Sequence, residues 1–444
     1  MVRIIGAGLA GSEAALQCAA RGVAVELYEM RPLRSTPAHQ TAHFAELVCS
    51  NSLKSASGNT APWLLKEEMR GAGSRLLAIA EQCAIPAGHA LAVDRTAFAA
   101  AVTEAVEREP LIKVRLEEVT RIQEDDGITV IATGPLTSDA LSREIARLTG
   151  SDHLYFYDSI SPIVEADSID MSRVYFAARY DKGTADYINC PFTKDEYDRF
   201  YDALLAAQSV EGHDWEKLNY FEGCLPIEEI ARRGRDTLRF GPMKPVGLAD
   251  PRTGRPPYAV VQLRQENQRA DSYNLVGFQN HLKFGEQARV LRLIPGLENA
   301  HFLRYGQIHR NTYINAPSLL FATLQLLKHP NVFFAGQIAG VEGYVESIAT
   351  GLLAGLYVSA LLLQHNIACV PRHTALGSLV HYVTQSDTRD FQPANITFDL
   401  LPPLERRVRD RIERHRLICK RALAVFDAWW AHREIPPKVF VRAK

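Results

Sequence analysis

The chain has little of what marks a secreted, metal-binding or membrane-spanning protein. Its seven cysteines, at 18, 49, 83, 190, 224, 369 and 419, form neither close pairs nor a C-x-x-C. A disulfide framework and a zinc-type ligand set are therefore not expected. The first apolar strand begins at residue 2 and leaves no room for a secretory leader, so a reducing, cytoplasmic setting is expected. The longest near-apolar run, Gly351 to Leu363, is 13 residues. A membrane span needs ~18, so the run reads as a buried helix and no membrane partner is expected. An excess of charge of either sign is also missing, with 50 Lys and Arg against 51 Asp and Glu. Any nucleic-acid surface must then be a local patch and not a whole-molecule field.

What is present begins at the N-terminus. A 47% hydrophobic chain of 444 residues can fill real cores in two or three domains. Val2 to Ile5 form an apolar run, and Gly6-Ala7-Gly8-Leu9-Ala10-Gly11 follow in G-x-G-x-x-G spacing. A strand that turns sharply into a helix needs Gly6 for the turn, Gly8 for close approach of backbone to a pyrophosphate, and Gly11 for helix–strand packing. The helix N-terminus then offers its unpaired N–H groups and positive dipole end to phosphates. Ala14 to Ala20 continue as a helix, Arg21-Gly22 close it, and Val23 to Glu29 read as a second strand ending in an acid. Glu29 lies where a carboxylate can accept the ribose hydroxyls of a dinucleotide. The plainer alternative is a glycine-rich turn with no ligand; strand, glycines, helix, strand and acid in order favour the dinucleotide.

A polar stretch from Met30-Arg31-Pro32 to His43 reads as a long loop and leads into Glu46 to Lys54. Helical patterns follow at Pro62–Arg70, Leu76–Cys83 and from Arg95 through Glu107, and strands at Leu111–Glu118 and Gly127–Ala132. The last strand runs into Thr133-Gly134-Pro135, which is either an ordinary strand end or a close pass beside a bound dinucleotide. From about His153 to Gln307 short alternating runs sit between glycine and proline turns, the texture of an α+β insertion. The doubly wound pattern resumes at Val332–Gln337 and the helix Glu346–Leu363, so the α/β nucleotide-binding domain is expected to be discontinuous. Leu404 to Trp430 reads as an amphipathic helix with a solvated basic face, or less plainly as a phosphate-contacting surface.

Read together, the glycine motif, M-R-P, V-C-S-N-S-L, A-T-G-P-L-T, G-P-M-K-P-V-G-L, R-N-T-Y-I-N-A-P and A-G-Q-I-A-G-V-E-G-Y-V-E-S resemble one family. The chain resembles the folate- and FAD-dependent tRNA uracil-C5 methyltransferases of bacteria, from residue 2 to about residue 400. It is also similar to the longer glucose-inhibited-division flavoproteins, which share the A-G-Q…E-G-Y turn. The resemblance implies an FAD-binding Rossmann-like domain of glutathione-reductase type, residues 1–152 and 311–444, with an inserted α+β substrate and tRNA domain at 153–310. It implies FAD held by Gly6 to Gly11, Glu29, Arg31, Thr133, Gly134, Gly336, Gln337 and Tyr344. NADH or NADPH would be the electron source, 5,10-methylenetetrahydrofolate the carbon donor, and the T-loop uridine of tRNA the acceptor.

The chemistry asks for a thiolate, because uracil C5 becomes nucleophilic only after addition at C6. Transfer of a methylene then leaves the new carbon one hydride short of methyl, which a reduced flavin can supply. Cys49 and Cys224 match cysteines of the family's motifs and sit among polar or glycine neighbours. Cys18, Cys83 and Cys419 fall in helical patterns and read as small buried hydrophobes. Cys224 is assigned the attack on uracil and Cys49 the partnership with the flavin or folate intermediate, an order the residues themselves leave open. Glu342 would handle a proton beside the flavin or simply favour a helix N-terminus, and Tyr344 would stack there. His281, Lys283, His309 and Arg310 would meet folate, RNA phosphate or solvent. Arg232, Arg233, Arg235, Arg239 and Lys244 offer a basic face after Cys224. Other flavin-dependent activities on a small molecule or a wobble uridine, and a non-catalytic flavin-containing tRNA-binding factor, are the competing readings.

Overall fold

The computed structural model describes residues 1–122, 127–151, 154–181, 183–210, 225–389 and 391–435. Five short strands make a parallel sheet in the order Val332–Phe334, Ile128–Ile131, Val2–Ile5, Val25–Glu29, Ile112–Leu116. The apolar sequences of Val332–Phe334, Ile128–Ile131 and Val2–Ile5 suit strands buried in an α/β layer, while Val25–Glu29 and Ile112–Leu116 alternate towards the sheet edge. Val2, Ile4, Leu27, Val130 and Phe334 are fully buried. The second strand begins at Val25, later than its apolar run suggests, because the chain is still leaving the helix through Gly22 at φ +78°.

Helix Leu9–Ala19 packs along helix Tyr344–Leu362 through small residues. A Cβ on Gly351 would stand 2.2 Å from the Ala10 carbonyl oxygen, and one on Gly355 2.8 Å from that of Ala14. The longer helix runs 19 residues, beginning two residues before the expected Glu346–Leu363 and ending one residue short of it, and its most apolar window has mean hydropathy 1.6. It is long and apolar enough to cross a membrane, yet 89% of its most apolar window lies inside the protein. Its polar residues Glu346, Ser347 and Thr350 fold into the core with their apolar neighbours.

A six-stranded antiparallel sheet lies between the two halves of the first body in sequence. Its order is Tyr175–Ala177, Tyr187–Phe192, Ala259–Gln265, Ser272–Leu275, Ile163–Glu165, Phe302–Arg304. Residues 164–302 form their own apolar core, with Phe192, Phe200, Leu263 and Phe278 buried, separate from the core built by residues 2–148 and 313–429. The antiparallel ribbon Leu154–Ser159 and Ile308–Tyr313 carries the chain out of the first body and back. A three-stranded sheet of Ser52–Ser55, Ala90–Val93 and Ala84–Ile85 flanks the loop that bears Cys49. The tail helix runs Arg411–Ala431 and not from Leu404, because the Asp410 carboxylate accepts the Glu413 N–H at 2.7 Å and fixes the first turn there.

Candidate functional site

The carboxyl ends of the parallel strands open onto a cleft of about 1000 Å³, counting the open solvent at its mouth. Gly6, Gly8, Leu9, Ala10, Glu29, Arg31, Thr133, Gly134, Gly336, Gln337 and Tyr344, all expected on one ligand, line it together. The three glycines differ as the turn requires. Gly6 has φ +100° and a Cβ there would meet the Ala132 oxygen at 2.7 Å; a Cβ on Gly11 would stand 1.8 Å from the Gly6 oxygen. A Cβ on Gly8 would meet nothing within 4 Å, so its absence leaves free space over the helix start. Gly8 caps helix Leu9–Ala19 with no side-chain acceptor, and no acid sits in the first turn. An anion is the complement such a terminus lacks.

Glu29 is buried beside this turn. Its carboxylate accepts the Ala7 N–H at 3.1 Å and the Arg31 backbone N–H and Nε at 3.0 and 3.1 Å. Burial works against its ionisation, but the Arg31 guanidinium and these N–H groups outweigh it and hold its pKa below the ordinary value. Arg31 reaches on to the Thr41 carbonyl and Glu46. Glu46 in turn accepts the N–H groups of Gln40 and Thr41 at 2.9 and 3.0 Å, so a single carboxylate folds the polar loop over the cleft. Thr36, His39, Glu46, Val48, Thr137, Ser138 and Ser347 also line the space and were not anticipated.

Cys49 is not among the lining residues but follows Val48, which is, so its loop forms the rim. The Tyr344 hydroxyl accepts the backbone N–H groups of Cys49 at 2.8 Å and Ser50 at 3.1 Å, while the Cys49 thiol faces the Ser159 carbonyl at 3.7 Å. Burial, then the Cys49 sulfur, push the Tyr344 phenol well above the usual tyrosine range, with Arg95 opposing. The loop is held from the inserted body as well. Arg264 donates to Asn51 Oδ1 at 2.8 Å and Ser50 Oγ at 2.7 Å, and Asn51 donates to the Val93 and Gln265 carbonyls. Arg95 pairs with Glu266 at 3.0 Å and donates to the Leu47 carbonyl. Arg304 reaches the Ala38 carbonyl at 3.2 Å; burial, then the charge of Arg95, lower its pKa, while Tyr344 and Cys49 raise it. Two guanidiniums thus bear on the rim thiol.

Glu342 precedes the helix that opens at Tyr344 and accepts a hydrogen bond from Gln337 Nε2 at 2.6 Å. Lys54, in the left-handed region at φ +63°, donates to buried Glu346 at 2.6 Å and to Asn395. Cys224 lies outside the described residues. Cys18, Cys83 and Cys419 are buried, as expected of packing residues, and burial raises the pKa of each.

The basic face expected after Cys224 is largely neutralised. Arg232 pairs with Glu229, Arg235 with Asp198 and Asp202 at 2.8 and 2.5 Å, and Arg239 with Asp236 at 2.7 Å. Arg239 also lies 3.7 Å above the Tyr258 ring. His281 is buried, with Nδ1 2.7 Å from Glu228, so it belongs to the interior and not to solvent. Lys283 donates to Gln208 at 3.1 Å. The side chains of His309 and Arg310 lie outside those described.

The parallel sheet, glycine turn and cleft define a Rossmann-like dinucleotide-binding protein with a thiol at the rim. Residues 1–366 match the family described as glucose inhibited division protein A. The methylenetetrahydrofolate–tRNA-(uracil-5-)-methyltransferase TrmFO of Koribacter versatilis is 73% identical over 438 residues, covering 98% of this chain and 99% of that protein. The TrmFO of Solibacter usitatus is 63% identical over 437 residues, 96% of this chain and 98% of that protein. The chain belongs to the TrmFO family. Among solved structures, Aquifex aeolicus GidA in its form II crystal superposes with TM-score 0.69 at 16% identity, covering 96% of this chain and 73% of that one, a likeness of fold.

Proposed function

We propose that the protein is a folate-dependent tRNA (uracil-5-)-methyltransferase that binds FAD in the cleft. It takes its carbon from 5,10-methylenetetrahydrofolate and its electrons from a reduced nicotinamide nucleotide, and works in the cytoplasm. The observation that carries the reading is the placement of Cys49: a thiol on a loop fixed from three sides, its own N–H held by the first residue of the helix that lines the cleft. Relatives named for this activity over nearly their whole length support it. Residues 1–152 and 311–444 form the cofactor body and 153–310 the body that meets substrate.

The cleft residues suit FAD. The uncapped helix start at Gly8 and the empty space over it accommodate a pyrophosphate, and Glu29, kept ionised, can accept ribose hydroxyls. Bound there, the flavin supplies hydride chemistry. The chain's own work is positional and nucleophilic. Arg264, Tyr344 and Arg95 hold the Cys49 loop, and the guanidiniums of Arg95 and Arg304 favour an anion at the rim. Glu342, oriented by Gln337, is placed to hold a proton beside the cleft. Cys224 attacks uracil C6 and makes C5 nucleophilic, while Cys49 serves the carbon-transfer partner.

The test is direct. Purified protein, unmodified tRNA, methylenetetrahydrofolate and NADH or NADPH should yield 5-methyluridine at position 54, seen by mass analysis of the T-loop nucleosides. Deuterium introduced through the reductant should appear in the new methyl group. Methyl label arriving from S-adenosylmethionine, or nicotinamide oxidation with no change in the tRNA, would overturn the assignment.

A further inference from the structure

We propose that the arginine-rich strip from Leu404 to Arg421 is the surface on which the tRNA body docks, an assignment that rests on the tRNA-modifying function above. This strip carries eight basic residues against three acids in a chain with 50 Lys and Arg against 51 Asp and Glu overall. Arg406, Arg407, Arg409 and Arg411 are exposed, as is Lys420. Among the described residues only Arg416 of the strip has a carboxylate within ion-pair distance, Glu413 at 2.6 Å. The contrast with the inserted body is sharp, since Arg232, Arg235 and Arg239 are all paired with acids. Unpaired guanidiniums are the ones left to meet phosphates.

Helix energetics point the same way. Arg411, Arg414 and Arg416 crowd the first turns of Arg411–Ala431, the positive end of the helix dipole, where cations are disfavoured. Asp410 caps that end and Glu413 pairs with Arg416, which leaves Arg411 and Arg414 there without a carboxylate partner among the described residues. A polyanion laid across that end relieves the repulsion. The opposite face of the helix is committed to the core: Ile418, Ala422, Phe426 and Trp429 are buried, and Gly71 lies so close to Phe426 that a Cβ there would stand 2.6 Å from the ring.

The strip is also joined to the candidate site. Ala394 accepts the Glu342 N–H at 2.9 Å, Asn395 bonds Lys54, and Ile396 donates to Glu346 at 2.9 Å. Arg406 follows Asn395 by a segment that spans at most about 40 Å fully extended, and the short 3-10 helix Phe398–Leu400 shortens it. A polyanion on the strip can therefore reach the rim with another part of itself. RNA is favoured over an anionic membrane because Ile412 is the single large apolar side chain that the described strip exposes, too little for insertion. Arginine prevails over lysine seven to one, as bidentate phosphate contact favours.

The experiment compares wild type with the triple variant R407E/R409E/R411E and with R407K/R409K/R411K, using an unmodified tRNA transcript and fluorescence anisotropy across a salt series. Visible flavin absorbance and nicotinamide oxidation without tRNA serve as readouts of the intact cofactor body and should not change. The glutamate variant should bind tRNA at least about tenfold more weakly at 0.1 M salt, with a shallower salt slope. Its KM for tRNA should rise while kcat at saturation holds. The lysine variant should recover most of the affinity. Equal binding by wild type and the glutamate variant would overturn the docking surface and leave the function standing. Failure of wild type to bind tRNA at all would overturn the function first. Tighter binding of wild type to phosphatidylserine vesicles than to tRNA, lost in the glutamate variant, would overturn RNA as the occupant.

Discussion

The Tyr344 hydroxyl accepts the N–H of Cys49 at 2.8 Å, joining two residues that are 295 positions apart in sequence. The bond couples the rim loop to the start of a core helix, so the thiol's position is set by the same element that lines the cleft. Tyr344 therefore has a second role besides the stacking expected from its place beside the glycines: it is the acceptor for two consecutive backbone donors.

Tyr344→Phe should remove that acceptor and leave the Cys49 and Ser50 N–H groups short of partners, at a cost of about 1–3 kcal/mol for a buried donor. Thermal unfolding should show the loss as a lowered Tm with flavin still bound. Methylation should fall further than stability does, because the loop loses its register. Unchanged methylation in Tyr344→Phe would show that Arg264 and Arg95 alone fix the loop.

Two glycines of one motif should respond in opposite ways. At Gly8→Val the new Cβ meets no atom within 4 Å and φ is an ordinary −74°, so the protein should fold, with the branched side chain filling the space over the helix start. It should purify colourless with near wild-type circular dichroism. Gly11→Ala would drive a Cβ to 1.8 Å from the Gly6 oxygen, so it should reduce folding itself. Flavin retained by Gly8→Val would move the cofactor away from this turn.

The βαβ unit was legible because its signals are local: apolar run, glycines at fixed spacing, helix, strand and acid lie within residues 2–29. Local cap signals for helices Lys194–Ala206 and Asp139–Thr149 were equally present, in the Thr193–Glu196 capping box and in Ser138 with Gly150. Their apolar stripes are local as well, Tyr197, Phe200, Tyr201 and Leu204 in the one and Leu141, Ile145 and Leu148 in the other, so both helices are legible from sequence. The supports of the rim loop were not legible in principle. Arg264 meets Asn51 across 213 positions and Arg95 meets Glu266 across 171, and no periodicity encodes such pairs. The pairing of the arginines after Cys224 was illegible for the same reason: Asp198 and Asp202, which pair with Arg235, belong to a helix more than thirty positions upstream.

Buried Glu68 gives a pH signature. Its two oxygens accept the N–H groups of Ala375 and Leu376 at 2.7 and 2.8 Å, capping a helix distant in sequence. Burial raises its pKa from 4.5 to about 8, with the two N–H groups opposing. A carboxyl whose folded pKa lies above its unfolded value binds protons more tightly when folded. Its contribution is therefore fully present below pH 4.5 and is lost as pH rises through about 8. Glu68→Gln should remove this dependence. The stability of wild type minus that of the variant, from chemical denaturation, should fall between pH 4.5 and 8 by up to about 1.4 kcal/mol per pH unit. A difference independent of pH would mean that the cap stays ionised throughout.

The two candidate thiols can be separated by what each must do first. Carbon transfer to C5 requires a covalent bond at C6 beforehand, so the residue that forms it is needed even when no folate is present. Fluorine at C5 makes C6 more electrophilic, so a tRNA carrying 5-fluorouridine in the T-loop favours that C6 adduct before any carbon is transferred. Cys224→Ala should keep its flavin spectrum and tRNA affinity, lose methylation, and fail to form the trapped complex on a denaturing gel. Cys49→Ala should also lose methylation, since its thiol sits on the loop that Tyr344 and Arg264 hold at the rim. If Cys49 serves the carbon-transfer partner, Cys49→Ala should still trap the fluorinated tRNA. The reverse pattern, trapping by Cys224→Ala and none by Cys49→Ala, would exchange the two roles. Normal methylation by both variants would remove the thiol adduct from the reaction altogether.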